Sequence, residues 1–78
     1  MLIEVTQEDI DNGVPLQGDR CPVAHAIRRA MKTSWASVGD GEICFSNRTI
    51  STPLEVDEFI DSFDNGFHVE PFTFNIKD

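Results

Sequence analysis

The sequence predicts a small α+β domain, a mostly antiparallel sheet of three to four strands with two main helices packed on one face. Two stretches repeat apolar residues at helical spacing: Val23, Ile27, Ala30 and Met31, then Val56, Phe59, Ile60 and Phe63. Other stretches alternate with a period of two, most clearly Phe72, Phe74 and Ile76. Strands and helices follow one another without strict β–α–β alternation, which argues for α+β rather than a parallel sheet.

Each element has a local reason. Leu2 to Val5 is a short β-prone run. Thr6 and Asp9 stand at capping-box spacing, with Asp in place of the usual Glu or Gln, and Gly13 supplies a stop, so Gln7 to Asn12 reads as a short helical turn. Val14 to Asp19 contains Pro15 and Gly18 and reads as a loop. Pro22 suits the first position of a helix because its missing N–H has no intrahelical partner to lose, and the apolar stripe predicts that helix over 22–32. Trp35 to Val38 and Glu42 to Ser46 flank Gly39-Asp40-Gly41, a turn signal. A short strand at Thr49 to Ser51 would extend this hairpin into a meander. Ser51-Thr52-Pro53 has the form of a hydroxyl cap followed by a first-turn proline, and Gly66 ends the second helix, expected over 53–64.

With 78 residues the chain is read as a single domain, residues 1–78. A domain this short buries roughly 60% of the surface its unfolded chain exposes, so its core is thin. No apolar run is long enough to span a bilayer. The first ten residues carry acids and no Lys or Arg, unlike a signal peptide, so a cytoplasmic location is expected. Fourteen acids against six Lys and Arg leave a net charge of −8. That disfavours direct binding to nucleic acid, which needs cations to displace counterions, and disfavours an anionic membrane surface. The charge is also uneven. Residues 1–19 hold five acids and no base, residues 20–34 hold four bases and no acid, and residues 51–78 hold seven acids and only Lys77. Such asymmetry hints at an interaction surface.

Four features bear on chemistry. Cys21 opens a helix, where unpaired N–H groups and the helix dipole lower a thiol pKa, and His25 lies one turn on. The pair resembles half of a Cys–His nucleophile, but the favoured reading is a cysteine that caps or packs the helix start beside a surface histidine, since no orienting third group is evident. Cys21, His25, Cys44 and His68 match the composition of a zinc site but not its paired-knuckle spacing, and Cys44, between Ile43 and Phe45, reads as a core residue. A Cys21–Cys44 disulfide is disfavoured in a reducing compartment. Arg20, Arg28, Arg29 and Lys32 can hold a phosphate or nucleotide at the helix start, or pair with the many acids. Neither phosphate-loop motif, GxGxxG or GxxxxGK[ST], is present. Finally, Asp57, Asp61 and Asp64 recur at i, i+4 and i+7 with Glu55 and Glu58 beside them. This row can imitate nucleic-acid phosphates and occupy a basic groove of another protein, or simply solvate an amphipathic helix.

Val5-Thr6-Gln7-Glu8-Asp9-Ile10-Asp11-Asn12-Gly13, the run from Cys21 to Ala30, and the ending with Phe59, Phe63 and Glu70-Pro71-Phe72 together resemble a family of short uncharacterised bacteriophage and bacterial proteins. The resemblance covers most of the chain and brings no catalytic residue with it. It implies a small phage or mobile-element accessory protein. By analogy with anti-CRISPR proteins, several of which are small, acidic and non-enzymatic, it implies an inhibitor of host defence. The expected function is therefore non-catalytic and cofactor-free binding to a host protein with a basic surface, through Glu55, Asp57, Glu58, Asp61 and Asp64. Nucleotide binding by the basic helix and thiol or zinc chemistry at Cys21 and His25 remain alternatives. Homodimerisation along the edge of the last strand is left open.

Overall fold

The computed structural model describes residues 1–39 and 41–76. Asp40 of the predicted turn and Lys77 of the predicted last strand lie outside them. The element order is β1 (Leu2–Val5), α1 (Gln7–Asn12), α2 (Pro22–Met31), β2 (Ala36–Gly39), β3 (Glu42–Phe45), β4 (Arg48–Ser51), α3 (Leu54–Asp64) and β5 (Phe72–Asn75). This is the α+β class the sequence predicts. The strands divide into two antiparallel sheets rather than one: β1 pairs with β5, and β2, β3 and β4 form a meander. No helix among the described residues is long and apolar enough to cross a membrane.

The two sheets share a core through α2, which packs against β1 and β2 and also against α1. Its stripe buries Val23 and Ile27 completely, and Ala24 and Ala26 are fully buried with them. The strand register brings inward residues opposite one another: Ile3 faces Phe74, Ala36 faces Phe45, and Val38 faces Ile43. Cys44 lies on the outward face of β3 with Glu42, paired across to Thr49, with its thiol 3.6 Å from the Thr49 hydroxyl. The expectation of a core cysteine at that position is corrected by the pleat, because Ile43 and Phe45 take the two inward places.

Helix ends follow the local chemistry in two cases and depart from it in two. The capping box at α1 is complete: Asp9 N–H donates to Thr6 Oγ1 at 3.2 Å, and Thr6 N–H donates to the Asp9 carboxylate at 2.9 Å. At the end of α3, Gly66 takes a left-handed φ of 81°, Phe67 N–H donates to the Ser62 carbonyl, and Gly66 N–H donates to the Phe63 carbonyl. That pattern is a Schellman motif, and it needs a residue tolerant of positive φ. The start of α3 differs from expectation. Pro53 itself is the N-cap and no side chain caps the helix. The Thr52 hydroxyl, expected to cap, is buried without a hydrogen-bond partner. At the end of α2 a lysine, Lys32, adopts the left-handed region with φ 54° where glycine would be usual.

A run of phenylalanines sets the position of α3. Phe59 stacks on Phe63 at 6.2 Å and packs on Phe72 at 4.6 Å, and Phe72 stacks on Phe74 at 5.8 Å. Each such pair adds about 0.5–1.5 kcal/mol beyond the area it buries. Together with fully buried Val56, they fix which face of α3 looks inward and therefore which carboxylates look elsewhere.

Candidate functional site

The inward face of α3 leaves Asp57, Asp61 and Asp64 along one wall of an open groove of about 510 Å³. The other wall comes from the loop after α1, at Leu16, Gln17 and Gly18, and from the end of β2 at Val38 and Gly39. Ile60 and Cys21 contribute to its lining. The helical spacing of the three aspartates thus places them on one surface, as the sequence predicts. Glu55 and Glu58 are exposed and do not line the groove, because they fall on other sides of the helix.

The facing loop is tied down by backbone hydrogen bonds. Val14 N–H donates to the Arg20 carbonyl at 2.9 Å, Arg20 N–H to Gln17 at 3.0 Å, and Val38 N–H to Gly18 at 2.9 Å. The last of these makes residue 18 a partner of the β2 edge. A Cβ on Gly18 would stand 2.7 Å from the Val38 carbonyl oxygen, so only glycine permits that approach. At the tip, Leu16 adopts a left-handed φ of 64° and is 79% exposed. Its N–H donates to Asp64 Oδ1 at 2.9 Å. An exposed leucine in that backbone region costs about 1 kcal/mol, which the surrounding hydrogen bonds must offset.

The carboxylates are unequal. Asp64 accepts from Leu16, and Asp61 accepts from the Asn65 amide at 3.3 Å. Among the described residues, no Lys or Arg pairs with Asp57 or Asp61.

Cys21 closes the inner end of the groove. Its sulfur accepts from Ala24 N–H at 3.4 Å and lies 3.7 Å from the Gly18 carbonyl, to which the thiol donates. Only 2% of the residue is exposed. Burial pushes the thiol pKa up and the charge of Asp64 adds to this, against the lowering effect of the helix N–H groups. The lowered pKa expected at a helix start is therefore corrected: desolvation outweighs the helix terminus. Cys21 caps and packs. His25 lies 2.7 Å through Nδ1 from the Arg28 guanidinium, and its Nε2 is buried without a partner. His68 is on the surface against Glu70. Cys21, His25, Cys44 and His68 do not converge: among the described residues no group of three or more ligand-type side chains could hold a metal, and both cysteines are free.

The basic island is largely engaged within the fold. Arg29 grips the Asp9 carboxylate with both arms, at 2.7 and 2.9 Å, and also donates to the Glu4 carbonyl at 2.9 Å. Burial opposes ionisation of Asp9, but the hydrogen bonds from Arg29 and Thr6 and the charge of Arg29 outweigh it and hold the carboxyl below its ordinary value. The same contacts raise Arg29. Arg28 donates to the Asp19 carbonyl at 2.6 Å. Arg20 and Lys32 are exposed.

Sequence reasoning named the acidic wall but not the facing one. Leu16, Gly18 and Val38 belong to a loop and a strand whose juxtaposition has no periodic signal. The one legible trace was an apolar residue between Pro15 and Gly18 in a turn-rich loop. No family model, curated protein or solved structure matches the chain.

Proposed function

We propose that this protein acts by non-catalytic binding to a partner protein with a basic surface, in the manner of a small phage-type accessory protein that inhibits a host defence or nucleic-acid-handling protein. The single observation that carries this reading is the contrast in how the acids are used. Asp9 is consumed by Arg29 inside the fold, whereas Asp57 and Asp61 line an open groove with no internal cation among the described residues. Carboxylates left unpaired beside a concave surface favour a cationic partner by steering and by complementarity. The sealed, high-pKa thiol of Cys21 weighs against a nucleophile there. The internal engagement of Arg28 and Arg29 weighs against their serving as an anion cradle.

The test is affinity capture from a defence-competent bacterial lysate with wild type beside Asp57→Lys/Asp61→Lys, followed by mass-spectrometric identification. Capture of a basic, nucleic-acid-handling protein by wild type and its loss in the variant is the expected result. Equal capture by both removes this face from the interaction. A melting temperature that rises with added nucleotide would instead favour the basic helix as a ligand site.

A further inference from the structure

Resting on that reading, the geometry points to the mode of contact: the groove between α3 and the Leu16 loop receives a lysine or arginine side chain from an extended segment of the partner protein. Three features of the groove agree on this occupant. Its volume of about 510 Å³ falls within the range of clefts that take a ligand-sized group, which is ample for one long side chain. Its lining includes aliphatic groups, Leu16, Val38 and Ile60, suited to the methylene stem of a long cationic side chain. Its α3 wall carries Asp57 and Asp61, which can take the cationic head. Leu16 is central to this arrangement. Its backbone is held in an unfavourable region by Asp64, with the residue 79% exposed at the rim, so the loop holds an apolar group where the core gains nothing from it.

The experiment is an amide-resolved NMR titration of the full chain with the blocked peptide acetyl-Gly-Ala-Lys-Arg-Ala-Gly-amide. The same peptide with Glu-Glu in place of Lys-Arg serves as control. Wild type is compared with Asp57→Asn/Asp61→Asn, Leu16→Ala and Glu55→Gln/Glu58→Gln, each first shown to melt within a few degrees of wild type. The basic peptide should shift the amides of Leu16, Gly18 and Gly39 saturably. Removing the two groove charges should weaken binding about tenfold, the loss expected for hydrogen bonds to charged groups. Leu16→Ala should weaken it about threefold to tenfold through lost stem contact, and Glu55→Gln/Glu58→Gln less than twofold. Equal weakening by the groove and outer pairs, shifts scattered over the other acids, or equal binding of the Glu-Glu peptide would each overturn the groove assignment.

The broader reading fails separately. A captured partner lost on Glu55→Lys/Glu58→Lys but retained by Asp57→Asn/Asp61→Asn would sink the groove and keep a basic partner. Capture that ignores every charge on α3 would sink both.

Discussion

Asp9 on α1 and Asp61 on α3 are both carboxylates on amphipathic helices of one small chain, and the fold treats them differently. Asp9 is 5% exposed, completes a capping box, and meets both arms of Arg29. The α1–α2 side thus spends its charge on joining elements 20 residues apart in sequence. Asp61 is exposed and faces a groove whose far wall is a strained loop with an exposed leucine at its tip. On the α3 side Asp64 holds the Leu16 loop, while Asp57 and Asp61 stand with the strained backbone and exposed side chain of Leu16 and pair with no cation among the described residues. Such a combination is the support for the proposed contact with a partner.

Substitutions can break or sharpen this contrast. The largest effect is expected at the α2 core, where Ile27→Ala should cost about 3–4 kcal/mol by chemical denaturation, because Ile27 is fully buried. For a domain whose total stability is of the order of 4–12 kcal/mol, that is a large fraction. Next is the internal acid. Asp9→Asn should cost about 2 kcal/mol, combining the weakened capping box with a half-exposed guanidinium left without its anion, where Asp61→Asn should cost less than about 0.5 kcal/mol. Equal losses at the two sites would erase the distinction.

The pH dependence adds a sign. Because the folded-state pKa of Asp9 lies below its unfolded value, its contribution is present above the unfolded carboxylate pKa and is lost as pH falls through the lower, folded one. Wild type should therefore lose stability in acid more steeply than Asp9→Asn, as read from urea midpoints between pH 5 and pH 2 or so.

Thiol reactivity is a smaller and separate test. Iodoacetamide at mildly alkaline pH should modify Cys44 before Cys21, because Cys21 is buried with its pKa raised. Rapid modification of Cys21 in the folded protein would contradict its sealed position. A small change in stability is also expected at Leu16. Leu16→Gly should leave stability within about 1 kcal/mol of wild type, with strain relief set against the flexibility glycine brings, while weakening the basic-peptide interaction. A variant that loses several kcal/mol there would show that Leu16 serves the fold instead.

The helices were legible because their signals are local. Val23 to Met31 and Val56 to Phe63 repeat at helical spacing, Thr6 and Asp9 form their box, and Gly66 ends α3 in a left-handed turn. The error at Thr52 has a definable cause: the chain reaches α3 from β4, and Thr52 N–H donates to the Gly41 carbonyl, so that residue serves the connection to the meander rather than the helix. Cys21 caps and packs the start of α2, the reading the sequence favours; the lowered thiol pKa was misjudged by weighing a helix terminus without its burial. Desolvation depends on what is buried around the sulfur, and the Gly18 carbonyl that accepts from the thiol and the Asp64 charge that acts on it lie three and 43 residues away.

The sequence by itself determined the element types, their order, the α+β class and the row of aspartates on one side of α3. Each follows from periodicity or capping within a few residues, where backbone geometry alone dictates the outcome. Only the tertiary structure decided that the strands form two sheets, that Arg29 closes on Asp9, and that the Leu16 loop stands opposite Asp57 and Asp61 to make a groove. Those outcomes depend on which distant surfaces are buried together. That choice is set by the summed packing of α2 and the phenylalanines of α3 and β5, and no local stretch of the chain encodes it.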